Sequence, residues 1–499
     1  MPPSRSSQRS NPFADPNPGG DGWRTPTIED AHHPRNLELR RTHTSGLTEK
    51  SQQTDYFNGV HQRRADSRAT ASTHASAVDH VEPGEDGASI VPSEENMHLS
   101  IRQRLKHVTW AWFTLVMATG GVASTLHAVP FRFTGLWTIG VIFFVANIAF
   151  YVIIWAMIIC RFWNYPYTFR ASFLHPTESL FAPAVAVSFG TILINIVEYG
   201  FGEVGVWLNR AVLVLYWFDC GLAIVLSISI YLILWSTQHF TIARMTPIWI
   251  FPAYPLLIIG PHAANLSARL VDPREAIQVI VGGFTVQGIG FLVSLTVYAA
   301  FVYRLMTQKL PAESLRPGMF VSVGPSAFTA SGIMGMASNL DQVFMRLPSG
   351  LYMDVESMLA ASILKLIANW VSLWLWGLAL WFFFVSLMAN MVCFRKGAHM
   401  PFAMTWFSFI FPQTALTTAT FRVAESFNVF AIKIVGCVMT VLLILVWLLV
   451  VFRMIKAIVD KQILWPEKGE DKSEGGFSMP KTPAERVLTN STATKRETV

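Results

Sequence analysis

Residues Arg316 to Gly332 read RPGMFVSVGPSAFTASG, and this stretch decides how the rest of the chain is organised. It opens on a basic residue, continues as an apolar run, and is interrupted at Gly324-Pro325 where a uniform membrane helix would continue. Proline removes a backbone N–H and crowds the preceding turn, so backbone groups there lose helical partners. At membrane depth such groups are tolerated only where protein buries them or a polar cavity faces them. Broken helices are also where membrane carriers place their binding sites.

The composition around this stretch agrees. Of 499 residues, 52% are hydrophobic and only 14% charged, against about 25% charged in a soluble domain; mean hydropathy is +0.40. A polytopic membrane protein follows. The net charge of +6 does not indicate a nucleic-acid partner, because the basic residues sit in tails and short loops and form no stripe on one soluble face. Cys160, Cys220, Cys393 and Cys437 lie in or beside apolar runs without paired spacing, so neither a disulfide framework nor a metal site is indicated, and no cofactor. Residues 1–104 are rich in Ser, Pro, Asn, His and charge and lack a signal-peptide core, so they are expected to form a disordered cytoplasmic tail. Residues 466–499 are expected to form a second such tail, which makes the sequon Asn490-Ser491-Thr492 inert. An enzyme would need clustered His ligands, an acid/base pair or an exposed nucleophile, and the sequence offers none; His32-His33 lies in the tail.

Between the tails, residues 105–465 are expected to form a ten-helix transmembrane transporter domain, each apolar segment being near the ~20 residues that cross a bilayer. The segments are Val108 to Val129, Phe133 to Cys160, Leu180 to Tyr199, Val206 to Trp235, Pro247 to Ala268, Ala276 to Tyr303, Met319 to Ala337, Ser357 to Cys393, Pro401 to Phe421 and Val429 to Ile455. Loops after even segments carry eight Lys or Arg (Arg161, Arg170, Arg244, Arg304, Lys309, Arg316, Arg395, Lys396), and those after odd segments carry five. That bias places both termini in the cytoplasm.

The odd segments share a further character. The first has Thr119-Gly120-Gly121, the third Pro183, the fifth Pro252, Pro255 and Gly260-Pro261, the seventh Gly324-Pro325, and the ninth Pro412. The even segments contain no proline and consist mostly of Leu, Ile, Val, Phe and Trp. Ten helices thus sort into five pairs of one broken and one smooth member, and the simplest closed arrangement gathers the broken helices around an axis.

The chain resembles the fungal malic acid transport proteins, C4-dicarboxylate carriers of the tellurite-resistance/dicarboxylate transporter family. The resemblance rests on HVTWAWFTLVMATGG at His107 to Gly121, HPTE at His175 to Glu178, WIFPAYPLLIIGPH at Trp249 to His262, and RPGMFVSVGPSAFT at Arg316 to Thr329. It implies an all-α membrane protein of ten helices, arranged as five hairpins in pseudo-five-fold symmetry around a central pore, and often a homotrimer. It further implies a plasma-membrane carrier that moves a small dicarboxylate anion such as malate or succinate with protons. The alternative is an efflux permease or channel for sulfite or another small inorganic anion.

Helix starts carry about half a positive charge. Five of them meeting near the midplane would attract anions, with hydroxyls replacing hydration water. Candidate pore and substrate-binding residues are Thr119, Gly120, Ser124, Ser188, His262, Ser322, Gly324, Ser326, Thr329, Thr414 and Thr417; for each hydroxyl a bond to its own helix backbone is the competing reading. Arg316 at the cytoplasmic mouth and Arg269 and Arg422 at the outer ends could recruit dicarboxylate or anchor the topology. In the anion-channel relatives a phenylalanine of the ninth helix plugs the pore. Phe411 matches it, with Phe409 second, and helix packing is the alternative for both. Among charges inside segments, Asp219 lies near the middle of the fourth; it and His262 are the proton-coupling candidates, each with a purely structural reading beside it. Glu198, Lys365 and Lys433 lie nearer segment ends, where snorkelling suffices.

Overall fold

The computed structural model describes residues 100–200, 207–238, 241–242, 245–347, 350–394 and 401–465. These all belong to the unit Pro92–Val499. The rest of the expected tails, the pair His32-His33, the sequon at Asn490, and Arg244, Arg395 and Lys396 of the charge count lie outside the described residues. Among the described residues helical structure begins at Ile101, inside the expected tail, where Ser100 and Gln103 form a reciprocal cap.

Ten long helices follow among the described residues: α1 Phe113–Ala128, α2 Leu136–Asn164, α3 Ala184–Gly200, α4 Trp207–Thr237, α5 Tyr254–Ser267, α6 Pro273–Gln308, α7 Gly324–Met345, α8 Ser357–Met391, α9 Phe411–Ser426 and α10 Phe430–Val459. The described strands, Leu351–Tyr352 and Val355–Glu356, pair antiparallel just before α8. Among the described residues, eight helical stretches are long and apolar enough to cross a membrane. The exceptions, α1 and α9, have 16 residues each and extend about 24 Å as α-helix. Both are preceded by 3-10 turns, Trp110–Trp112 and Met404–Phe409.

Burial divides the two sets. In the odd stretches among the eight, 83% to 94% of the most apolar part is buried; in α2, α4, α6, α8 and α10 only 17% to 33% is. The even helices instead expose large apolar side chains, among them Trp137, Phe218, Leu292, Trp374 and Phe452. Such a continuous apolar exterior belongs in lipid, and the chain is a multi-pass membrane protein. Each even helix packs on the odd helix before it, and the odd helices pack on one another in sequence: α1 on α3, α3 on α5, α5 on α7, α7 on α9, and α9 back on α1.

The odd stretches change geometry where their prolines fall, though not at every expected position. α5, α7 and α9 each have proline in the first turn, Pro255, Pro325 and Pro412, and α3 starts directly after Pro183. There the missing N–H is one the helix would not have used. A 3-10 segment leads into α5 (Pro247–Ala253) and into α7 (Glu313–Val323). Thr119-Gly120-Gly121 and Gly260-Pro261, by contrast, lie inside continuous α-helix. These glycines serve close approach: a Cβ at Gly120 would strike Asn147 and Thr191, one at Gly121 Thr414, and one at Gly260 the amide of Gln287. Gly324 is likewise required by contact, since the Tyr254 hydroxyl occupies the space of its Cβ while donating to the Val321 carbonyl.

The helix starts also differ from expectation. The amide of Gly324 donates to Val321 O, that of Tyr254 to Phe251 O, and that of Ile410 to Phe407 O. The 3-10 turns therefore run into the α-helices without a gap and occupy amides that a true break would have left for a ligand.

Candidate functional site

One cavity of about 420 Å³ receives residues from all five odd helices. α1 supplies Gly120, Gly121 and Ser124, α3 Thr191 and Glu198, α5 Ile258 and Asn265, α7 Phe328 and Ser331, and α9 Phe411, Thr414, Thr418 and Arg422. Small and hydroxyl residues on the facing turns leave the space open. A second cavity of about 320 Å³ shares His127, Glu198, Asn265 and Arg422 with it and adds Arg269 and Asn339. Together they run from the first turns of α7 and α9, at Phe328 and Phe411, to the C-terminal ends of α1, α3, α5 and α9, at His127, Glu198, Asn265 and Glu425.

The floor is aromatic. Phe411 and Phe328 are 5.2 Å apart between ring centroids, Phe411 and Tyr254 6.0 Å, and Tyr254 and Phe328 6.1 Å. Three rings from three inner helices thus meet at one level, and Phe411 is only 4% exposed. Phe409 packs elsewhere, against Phe320 and Trp406, and does not line the cavity.

The opposite end is charged. Arg132 donates to the carbonyl of His127 at 2.7 Å, and Arg422 lies 3.8 Å from Glu425. With Arg269 these give three guanidinium groups around the mouth, against the carboxylates of Glu198 and Glu425. An anion entering here meets cations first, then the Ser124 hydroxyl, which donates to Glu198, and those of Thr191, Ser331, Thr414 and Thr418, which donate to their own helix backbone, then a ring barrier.

Of the residues proposed for the pore, the cavity collects Gly120, Ser124 and Thr414. Thr119 turns toward α10, accepting from Trp447 at 3.1 Å and donating to Leu115 O. Ser188 donates to Phe113 O, tying α3 to the start of α1. Ser322, Thr329 and Thr417 bond their own helix at Met319, Pro325 and Gln413. Ser326 meets the Tyr298 hydroxyl at 3.2 Å. Gly324 packs under Tyr254. Arg316 sits at the far end and binds Pro311 O, Ala389 O and Cys393 Sγ, joining the approach to α7 with the end of α8.

Asp219 and His262, named separately from sequence, come together: Nδ1 lies 3.6 Å from Oδ2 with both side chains buried. The pair sits between α4 and α5, with Asp219 against Gly190 of α3 and His262 under the Tyr216 ring. Neither lines the cavity. Arg161, counted as a loop cation, is fully buried and pairs with Glu178 at 2.7 Å. The HPTE motif is therefore a structural joint: His175 Nδ1 accepts from the amides of Thr177 and Glu178, and Glu178 reaches Arg161. Lys365 pairs with Asp341 in a partly exposed position. His127, Arg132, Thr191, Asn265, Ser331 and Thr418 line the cavities without having been singled out. For the five on helices the only sequence signal is a polar residue three, four or seven places from another lining residue; Arg132 lies in the loop after α1.

Residues 107–455 match the family described as voltage-dependent anion channel. The malic acid transport protein of Schizosaccharomyces pombe is 30% identical over 396 residues, which is 78% of this chain and 88% of the relative. A sulfite efflux pump of Arthroderma benhamiae is 24% identical over 340 residues, covering 68% of this chain and 88% of the relative. An uncharacterised transporter of Methanocaldococcus jannaschii is 21% identical over 370 residues, covering 72% of this chain and 97% of the relative.

Proposed function

The chain belongs to the voltage-dependent anion channel family, and from that premise we propose that it transports C4-dicarboxylates such as malate across the plasma membrane, together with protons. In this reading the ten long helices form five hairpins in pseudo-five-fold arrangement. The odd helices surround a central pore, both termini are cytoplasmic, and three copies assemble through part of the apolar exterior. The likeness to malic acid transport proteins supports the substrate class.

One observation carries the mechanism: a single cavity is built from all five inner helices, with arginines at one end and rings at the other. Arg132, Arg269 and Arg422 draw the dianion in, since guanidinium groups match carboxylates in charge and shape. Ser124, Thr191, Asn265, Ser331, Thr414 and Thr418, which now donate to Glu198 or to their own helix backbone, turn to the anion in place of lost water. Phe411, with Phe328 and Tyr254, seals the path as a dry constriction and opens it by moving aside. Attraction comes chiefly from these side chains rather than from bare helix starts, whose amides are largely occupied.

Uptake of labelled malate in a transporter-deficient yeast, at several pH values and with unlabelled succinate or sulfite as competitor, tests the reading. Competition by succinate and stimulation by external acid are expected. Competition by sulfite but not by succinate assigns the chain to inorganic-anion efflux instead, the activity named for its relatives at 24% identity.

A further inference from the structure

Glu198 lies in the last turn of α3, on the wall shared by the two cavities. It is only 9% exposed. Oε1 accepts from Ser124 Oγ of α1 at 2.8 Å and from Asn265 Nδ2 of α5 at 2.9 Å. Oε2 has no hydrogen-bond partner among the described residues. Among those residues Glu198 also forms no ion pair, unlike Glu178, Glu275 and Glu425.

The surroundings are mixed in charge but nowhere closed on the carboxyl. α1 contributes His127, the following loop Arg132, the end of α5 Arg269, and α9 Arg422 and Glu425. Tyr199, the next residue, gives its hydroxyl to Ala123 O and its ring to Trp137 and Phe144 of α2. α4 presents Asp219 only beside Gly190, two turns back along α3.

A buried carboxyl with two neutral donors on one oxygen and none on the other has a specific capacity. It takes a proton on Oε2 without disturbing either donor, because both bonds end on Oε1. When ionised, it sets a negative charge inside the cavity that a dianion must enter, and like charges in a site of reduced dielectric oppose each other's binding. When protonated, that opposition is gone. Proton and anion therefore favour each other's binding, and the coupling is reciprocal by thermodynamic necessity.

We propose that Glu198 is the residue through which the chain couples a proton to its anion. The proton reaches Oε2 from the cavity mouth, the neutral acid admits the anion beside Arg422, and both leave when the aromatic floor opens on the other side. No bond to the substrate is formed. Asp219 and His262, behind the inner helices and outside both cavities, act as a packing pair instead. The proposal rests on the dicarboxylate reading above and adds the group that carries the proton.

The test uses purified full-length protein in liposomes and labelled malate, with two readouts. One is uptake driven by an acid-outside pH gradient; the other is malate–malate exchange at equal pH. In the wild type the gradient accelerates uptake. Glu198→Gln loses that acceleration while exchange persists at a reduced rate. Glu198→Asp regains it, and Asp219→Asn retains it. Gradient-driven uptake persisting in E198Q, or lost in D219N while kept in E198Q, overturns the proposal, as does an E198Q protein that is monodisperse yet devoid of exchange. If E198Q is not monodisperse, Asn265→Ala decides. Removing one donor from Oε1 should displace the pH midpoint of uptake by about half a unit or more, and an unmoved midpoint overturns the proposal. Wild-type protein that moves sulfite and not malate defeats only the substrate class, and the same comparison is then run with sulfite.

Discussion

Replacing Phe411 by alanine removes the central ring of the floor and leaves the arginine-rich mouth intact. The ring pairs with Phe328 at 5.2 Å and with Tyr254 at 6.0 Å. Aromatic pairs of this kind contribute roughly 0.5–1.5 kcal/mol each beyond their area burial, so two of them hold the closed floor by about 1–3 kcal/mol. A bias of that size corresponds to a change of roughly 5- to 150-fold in the ratio of open to closed. Truncating a fully enclosed phenylalanine costs about 3–5 kcal/mol of stability. Phe411 has cavity on one side, which places its cost at or below the low end of that range and leaves the protein folded. The assay is passive malate leak from preloaded liposomes without a gradient, for wild type, Phe411→Ala and Phe409→Ala. Leak is expected to rise at least fivefold in F411A and to stay at the wild-type level in F409A, whose ring packs on Phe320 and Trp406. A monodisperse F411A with wild-type leak, or leak produced by F409A alone, would refute the assignment of the gate.

Three further expectations concern binding and packing. Arg422→Gln should raise the KM for malate about tenfold, as loss of a charge-assisted contact does, and should weaken its dependence on ionic strength; Arg316→Gln, at the opposite end, should lower thermal stability and leave KM unchanged. Glu178→Gln leaves Arg161 buried without its carboxylate, a break that costs about 3–5 kcal/mol, so the variant should fail to accumulate as monodisperse protein, whereas the paired change Arg161→Met with Glu178→Leu should restore accumulation. Gly260→Ala drives a methyl into Gln287 and should cost about 1–3 kcal/mol by overpacking, read as a lowered melting temperature in detergent, while Gly288→Ala, which meets nothing within 4 Å, should not.

The division into inner and outer helices was legible because proline and hydroxyl residues are expensive against lipid and gather where protein covers them. Pro183, Pro255, Pro325 and Pro412 all mark real changes of geometry. Gly120-Gly121 and Gly260-Pro261 were misread because a glycine chosen for close contact looks the same in sequence as one chosen for a break; only Asn147, Thr414 and Gln287, on other helices, tell them apart. Phe411 was singled out through resemblance; that its ring lies at the cavity end beside Phe328 and Tyr254 is a finding of the structure alone. Glu198 was passed over as a charge near a helix end. Its meaning depends on Ser124 and Asn265, 74 and 67 residues away in the chain, and local spacing does not encode that convergence. The pairing of Asp219 with His262 was hidden for the same reason, since it joins an outer helix to an inner one.

The central claim, that the odd helices enclose one route for the anion, is tested most directly by thiol accessibility. In a variant lacking Cys160, Cys220, Cys393 and Cys437, single cysteines replace one lining residue from each inner helix: Ser124, Thr191, Asn265, Ser331 and Thr418. Thr119 and Ser326, which turn away from the cavity, serve as controls. A charged, water-soluble thiol reagent is expected to modify all five lining positions, malate to slow the modification at each, and the two controls not to react. Modification at only one or two of the five, or equal protection by malate at Thr119 and Ser326, would contradict the claim.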